Sequence, residues 1–358
     1  MVLLSVLEKF SNYLYMIPLF IIGALFLLIL LKKRREMREQ LIPLSDEERE
    51  SLANPIAITS LLFFTIIYVT SPLGFKIIVP YPLDILTLIW YGLFLVVFYF
   101  LCRREKRRYT GPPFEVKEEA DLSIKYEVIR KTTHAVIILV VVCYVVIGPL
   151  FMLAVNWLLE LVGLPDLVSD QIYWGQYTVA FFTVIAFLGL STAEVVRVYF
   201  YKAYPLKSVK KIFRQKEIGA ALGSHIALTV GCLSVILIFG PYEPEIVMAS
   251  IAISAIADGA ASIVGRRFGM HEYKTAFSKK RKTFEGLLTE TIVSIILSFL
   301  FLIYRFGVYS FLLAFVAAMV IDFIDYLSIQ VSDNLINPIA CAVVLVLVAT
   351  LLHSLGLV

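Results

Sequence analysis

Charge is scarce in this sequence. Asp, Glu, Lys and Arg make up 17% of its 358 residues and hydrophobic types 60%, whereas a soluble globule carries about 25% charged residues. That shortage excludes a chain solvated by water on all sides and leaves lipid as the solvent. Cysteine is also scarce. Cys102, Cys143, Cys232 and Cys341 lie in or beside apolar runs, with no paired spacing that would bind zinc or staple a loop. Missing altogether are a G-x-x-x-x-G-K-[ST] phosphate loop, an internal repeat and a hydrophilic stretch long enough for a soluble domain. The formal net charge of +4 gives no sign of nucleic-acid binding, and nothing signals a protein partner.

What is present is a series of apolar runs measured against the roughly 20 residues a transmembrane helix needs. Ten such spans are expected, near 13–31, 55–72, 83–102, 133–159, 174–195, 218–240, 246–264, 286–304, 308–326 and 336–353. The expected fold class is therefore all-α, a polytopic integral membrane protein of about ten helices. The first run precedes Lys32-Lys33-Arg34-Arg35 and lacks a basic start and a small-residue cleavage site, so it reads as a signal anchor. All but three of the 32 Lys and Arg fall in 32–54, 103–131, 197–216 and 266–282. Positive charge stays cytoplasmic, which places these connections inside, together with 327–335, and both termini outside. The basic runs at 32–38 and 103–108 serve as topogenic signals that also attract anionic head groups.

An ionisable residue inside a span costs about 2.5–3.5 kcal/mol at the helix centre, so each asks for a partner or a purpose. Glu194, Arg197, Asp258, Glu290, Asp322 and Asp325 are the ones here, all toward cytoplasmic ends. Glu194 and Arg197 are three apart and either neutralise each other or flank a site. Asp322 and Asp325 share a face but repel, so they call for a cation or basic partners. Asp258 sits among small residues in Ala257-Asp258-Gly259-Ala260-Ala261-Ser262, which let backbones approach. His134, after Arg130-Lys131, is a proton acceptor, a phosphate ligand or an interfacial packing residue. His225 lies inside a span and is a weaker candidate, while His271 and His353 read as solvated.

The stretch 257–286 combines Asp258, Gly265 and Gly269, the run Lys279-Lys280-Arg281-Lys282-Thr283, and Glu285-Gly286. A carboxylate for a divalent ion, glycines that admit phosphate oxygens and clustered cations are what a triphosphate needs. The Gly-x-x-x-Gly pair is equally a helix-packing motif.

These residues resemble the CTP-dependent polyprenol kinases, the family of dolichol kinase, phytol kinase and CTP-dependent diacylglycerol kinase. Asp258, Ala261, Gly265 and Gly269 match its D-x-x-A-x-x-x-G-x-x-x-G, and Lys282, Thr283, Glu285 and Gly286 the segment after its basic loop. Arg130-Lys131 with His134, Glu194 with Arg197, and Asp333-Asn334 with Pro338 look like its other motifs. The likeness spans about 130–340, so a division into 1–110, three helices without it, and 111–358, a seven-helix catalytic membrane domain, is expected. Departures are a longer loop after Gly269, Arg281 for a Lys, Ala257 for a Gly, and Asp325 or Asp322 where a Glu is usual.

The resemblance implies transfer of the γ-phosphoryl of CTP to the hydroxyl of a dolichol-like isoprenoid alcohol at the cytoplasmic face of a cell membrane or endomembrane. Asp258 would hold Mg²⁺ with Asp333 or Asp325. Lys282, Arg130 and Lys131 would neutralise the triphosphate; Gly265, Gly269, Thr283, Gly286 and Asn334 would complete the nucleotide site; His134 or Glu285 would serve the hydroxyl proton. The rival enzyme is a membrane cytidylyltransferase that makes a CDP-lipid, although its K-R-x-x-x-x-K-D and H-G-G-x-x-D-R patterns are not found. A transporter is the non-enzymatic rival, and it would carry its charges near the midplane.

Overall fold

A computed structural model describes residues 14–39, 46–71, 79, 83–108, 137–163, 174–205, 222–277 and 281–358. Eight helices among them are long and apolar enough to cross a membrane. Among the described residues the fold is all-α apart from one small hairpin, as a bilayer requires of backbone that cannot hydrogen-bond to lipid. The chain is a multi-pass membrane protein.

In chain order the helices are α1 (Met16–Glu39), α2 (Asp46–Thr70), α3 (Leu83–Arg108), and α4, made of Ile137–Val142, a π turn Cys143–Ile147 and Gly148–Leu161. Then come α5 (Trp174–Tyr199), the shorter apolar α6 (Ser224–Phe239), and α7, made of Pro244–Ala252, a π turn Ile253–Ala257 and Asp258–Phe268. Strands β1 (Glu272–Lys274) and β2 (Arg281–Thr283) precede α8 (Phe284–Phe306), α9 (Ser310–Leu327) and α10 (Asp333–Ser354). The single apolar stretch Phe284–Leu327 is thus two helices, α8 and α9, turned at Gly307 (φ +51°) and packed side by side. Several helices outrun their apolar cores. α1 and α3 continue through Lys33–Glu39 and Arg103–Arg108, because Lys, Arg and Glu are good helix formers and hydrated head groups solvate them.

By its contacts the chain forms two compact units, Met1–Glu119 with Val142–Leu233, and Ala120–Val141 with Ser234–Val358. In the first, α5 is the hub and packs on α1, α3 and α4. Phe26 meets Phe187 edge to face at 6.4 Å, and Trp90, Phe94 and Phe98 stack one turn apart along α3. A Cβ on Gly175 would lie 2.5 Å from the Tyr144 carbonyl oxygen, so only glycine lets α4 and α5 come this close. Large apolar side chains such as Leu93, Val96, Val97 and Phe100 remain exposed on α3, which is the lipid face of a membrane helix.

In the second unit α8 lies between α7 and α9, and α10 packs on both α7 and α9. The fully buried positions of α8 are Gly286, Glu290, Ser294, Ser298, Leu302 and Phe306, a four-residue period that makes one stripe. Small residues on that stripe allow the close approach that holds apolar helices together where no hydrophobic force acts between them.

Candidate functional site

The β-hairpin sits at one end of α7, α8 and α9, and its two faces do different things. Its strands are antiparallel, with Glu272 opposite Thr283, Tyr273 opposite Lys282 and Lys274 opposite Arg281. Successive pairs point to opposite faces. On one face Thr283 meets α7: a Cβ on Gly265 would lie 2.8 Å from Thr283 Oγ1, and one on Gly269 would lie 2.5 Å from Thr283 Cγ2. On the other face Lys282 Nζ lies 2.6 Å from Asp325 Oδ2 of α9. Past the strand, the amides of Ala276 and Phe277 donate to the carbonyls of Tyr326 and Leu327 at 2.9 and 3.1 Å. Those carbonyls belong to the last turn of α9 and would otherwise lack partners, so the hairpin is fastened to the helix that carries Asp325.

Thr283 also caps α8, accepting from the Gly286 amide at 3.3 Å. Gly286 in turn touches α7, where a Cβ would fall 3.1 Å from the Ala261 carbonyl oxygen. Gly265, Gly269 and Gly286 therefore bring helix α7, the cap and helix α8 together. Of the two readings open to the Gly-x-x-x-Gly pair, packing is the one these contacts describe.

Lys282 is the cation of an acidic cluster. Its side chain is 25% exposed and that of Asp325 14%. Burial alone would lower the ammonium pKa, but the charges of Asp325 and Asp333 outweigh it and raise the group above the ordinary lysine value. Glu290, 1% exposed, lies in the field of the Asp325 and Asp258 carboxylates, while one of its oxygens, Oε1, has no donor among the described residues. Thr291 Oγ1 donates to Asp322 Oδ2 at 2.8 Å. The buried Tyr273 hydroxyl has no partner among the described residues; burial and then the charge of Asp325 push its pKa up.

Of Asp258, Asp325 and Asp333, read from sequence as metal ligands, Asp325 contacts Lys282, the charge of Asp333 acts on Lys282 and that of Asp258 on Glu290. Asp258 opens the last segment of α7 directly after the π turn, and Asp333 opens α10. Such single π turns recur at functional sites because the extra residue re-aims the helix beyond it. Asn334 is buried beside Asp333 at the start of α10. Among the described residues no three His, Cys, Asp or Glu side chains converge closely enough to enclose a metal ion. Mg²⁺ does not need such a cage: it keeps several waters and takes one or two carboxylates plus phosphate oxygens. The hard oxygen donors here, with an orphaned carboxylate oxygen on Glu290, fit that mode.

Glu285 lies in the first turn of α8, where its Oε1 is 2.7 Å from His271 Nδ1, and the His271 amide also points at this carboxylate, at 3.3 Å. His271, which reads as solvated or incidental in the sequence, is exposed as expected and also pairs with Glu285. Glu290 is the other residue whose place sequence reasoning left undefined, and the Gly286-Glu290-Ser294-Ser298 spacing is the signal that points to it. Arg130, Lys131 and His134 lie outside the described residues.

In the first unit Glu194 and Arg197 form a two-pronged pair, with both nitrogen-to-oxygen distances 2.8 Å. Glu194 also accepts from the Gly223 amide at 2.6 Å, and His225 Nε2 lies 3.5 Å from its Oε2. The neutralising reading of the pair is the arrangement found, with the added task of holding the start of α6 to the end of α5. No protein-family model, curated protein or solved structure matches this chain.

Proposed function

We propose that the protein is a CTP-dependent lipid kinase that phosphorylates the hydroxyl of a membrane isoprenoid alcohol, dolichol-like, at the cytoplasmic face. The observation that carries the reading is the ion pair of Lys282 with Asp325 inside a group of carboxylates that includes Asp258, Glu290 and Asp333. Cations and oxygen donors for a metal–triphosphate stand together there, at helix ends where a lipid head group and a cytosolic nucleotide both reach. The family resemblance of 257–286 supplies the choice of CTP and of an isoprenoid acceptor.

Phosphoryl transfer asks mainly for positioning and charge neutralisation. Asp258, with Asp325 or Asp333, would hold Mg²⁺, which when bound neutralises the β- and γ-phosphate oxygens. Lys282 neutralises the triphosphate by exchanging its bond to Asp325 for one to a phosphate oxygen. Arg130 and Lys131 add charge from the connection before α4. Glu285 orients His271, whose Nε2 is the acceptor left facing outward when Nδ1–H is given to a carboxylate. Counting α6, α8 and α9 as separate crossings would give ten, and the positive-inside bias would then put both termini outside and the hairpin inside.

Purified protein with CTP or ATP, magnesium and a panel of lipid alcohols tests this reading. CDP and a lipid monophosphate are expected, and Asp258→Asn should abolish turnover because an amide is a poor ligand for a hard cation. Uptake by sealed proteoliposomes without nucleotide consumption would establish a transporter instead.

A further inference from the structure

We infer that the seam between α7 and α8 holds a blind file of bound water, which runs from the level of Asp258 and Glu290 inward to Ser298 and ends at Leu302. Nothing in it depends on the kinase reading.

Two contacts fix how the helices are set against each other. At one end a Cβ on Gly286 would lie 3.1 Å from the Ala261 carbonyl oxygen. At the other, Arg305 Nε of α8 lies 3.9 Å from Oε2 of Glu243, the residue before α7. The helices are therefore antiparallel, and the stretches 286–305 and 243–261 between the contacts are almost equal in length, so their residues pair off in step. Glu290 comes level with Asp258, Ser294 with Ser254 and Ser298 with Ser250. Each level sets polar against polar. Glu290 and the four serines are at most 1% exposed, while Asp258 is only partly buried and gives the seam an end near water. One turn beyond Ser298, Leu302 comes level with Ile246, both fully buried, and the buried Phe306 follows.

The polar atoms on this stripe are short of partners. Glu290 Oε1, Ser294 Oγ and Ser298 Oγ are buried without a hydrogen bond among the described residues. A hydroxyl in a membrane helix ordinarily bonds back to the carbonyl one turn before it, and Thr289 and Thr291 of α8 do so at 2.7 and 2.9 Å, as does Ser254 of α7 at 2.7 Å. Ser294 and Ser298 make no such bond, which leaves their hydroxyls for the seam. Each buried polar atom left in this way costs about 1–3 kcal/mol.

Water is the ligand that the spacing fits. Residues four apart on a helix stand about 6 Å apart along it, and two O–H···O bonds laid end to end span about 5.5 Å. One water therefore bridges Glu290 to Ser294, and a second bridges Ser294 to Ser298, each donating and accepting as a hydroxyl or carboxylate requires. The file gives Glu290 the hydration that a carboxyl within a membrane calls for. Because Leu302 and Phe306 close it, it is an inlet that carries nothing across the bilayer.

The test places single thiols in nanodisc-embedded protein whose four native cysteines are replaced by alanine, and follows the S–H infrared band after transfer to D₂O. Ser294→Cys and Ser298→Cys should exchange about a hundredfold faster than Leu302→Cys and than Ile296→Cys on the lipid-facing side. Exchange of Ser298→Cys as slow as that of Leu302→Cys overturns the file and means that the serines turn back on their own helix in a dry seam. Exchange of Leu302→Cys as fast as that of the serine positions overturns it as well, since α8 would then be opening as a whole. The unaltered chain gives a second reading that no substitution can disturb: polarisation transfer from water in solid-state NMR should reach Ser294 and Ser298 and not Leu302. Transfer that misses both serines contradicts the file.

Discussion

His271 and Glu285 are joined at 2.7 Å between Nδ1 and Oε1, which ties the loop that leaves α7 to the first turn of α8. An exposed pair of this kind contributes little to stability. Its purpose is to fix one imidazole tautomer and one loop position. Glu285→Ala and His271→Ala should each lower turnover on the order of 10²-fold while thermal unfolding stays unchanged, and the double variant should be no worse than either single one. Independent, multiplying losses would separate the two residues.

The contacts of Gly269 predict a graded series in packing. A Cβ there would lie 2.2 Å from the Gly265 carbonyl oxygen and 2.5 Å from Thr283 Cγ2, so backbone has to move. Gly269→Ala should cost about 1–3 kcal/mol. Gly265→Ala meets the Thr283 hydroxyl first, at 2.8 Å, and should cost less because a side chain gives way more easily. Gly92→Ala, with nothing within 4 Å, should leave stability unchanged or raised. Thermal unfolding in one detergent orders the three; equal effects would contradict the packing assigned to the hairpin.

Buried charge at the end of α5 predicts non-additivity. Arg197→Met strands the Glu194 carboxylate, 1% exposed, beside the Gly223 amide and the His225 ring. Breaking such a pair costs about 3–5 kcal/mol, whereas removing both charges costs less. Adding Glu194→Gln to Arg197→Met should therefore recover stability, measured by thermal unfolding. A further loss in the double variant would mean that Glu194 acts chiefly through Gly223.

Much of the fold was legible because a bilayer demands long uninterrupted apolar runs. Helices α3 and α5 begin at Leu83 and Trp174, where their runs begin. Helix ends were less legible: nothing in hydropathy says that α3 continues to Arg108 or that α1 takes in Lys33–Glu39. The hairpin was hidden for a different reason. Glu272–Lys274 and Arg281–Thr283 carry charge and lack apolar alternation, and what holds them is tertiary, the bonds from Ala276 and Phe277 to the end of α9. At the site, Asp258, Asp325, Asp333 and Lys282 stood out as charges near membrane, and of these Lys282 and Asp325 form an ion pair. Glu290 looked like one more membrane carboxylate until the buried stripe of α8 gave it a direction. His271 carried no signal, since its partner lies 14 residues away across a turn that the sequence did not announce.

Orientation has a direct check in two exposed positions at opposite ends of α8 and α9. Phe277 is 67% exposed and Val308 73%. In a Cys102→Ser background, Val308→Cys should react with an impermeant maleimide added to intact right-side-out vesicles. Phe277→Cys should react only after permeabilisation. The reverse pattern would put the hairpin outside, where no nucleotide pool supplies it.

In the proposed reaction the terminal phosphoryl group of CTP ends on a lipid hydroxyl, and the destination of a phosphorus label decides whether it does. Purified protein is given a lipid alcohol, magnesium and CTP labelled either at the γ- or at the α-phosphorus, and the lipid is extracted. Label should reach the lipid from γ-labelled CTP alone, with CDP released and with Asp258→Asn inactive. Label in the lipid from α-labelled CTP, accompanied by pyrophosphate, would contradict it and establish the cytidylyltransferase reaction.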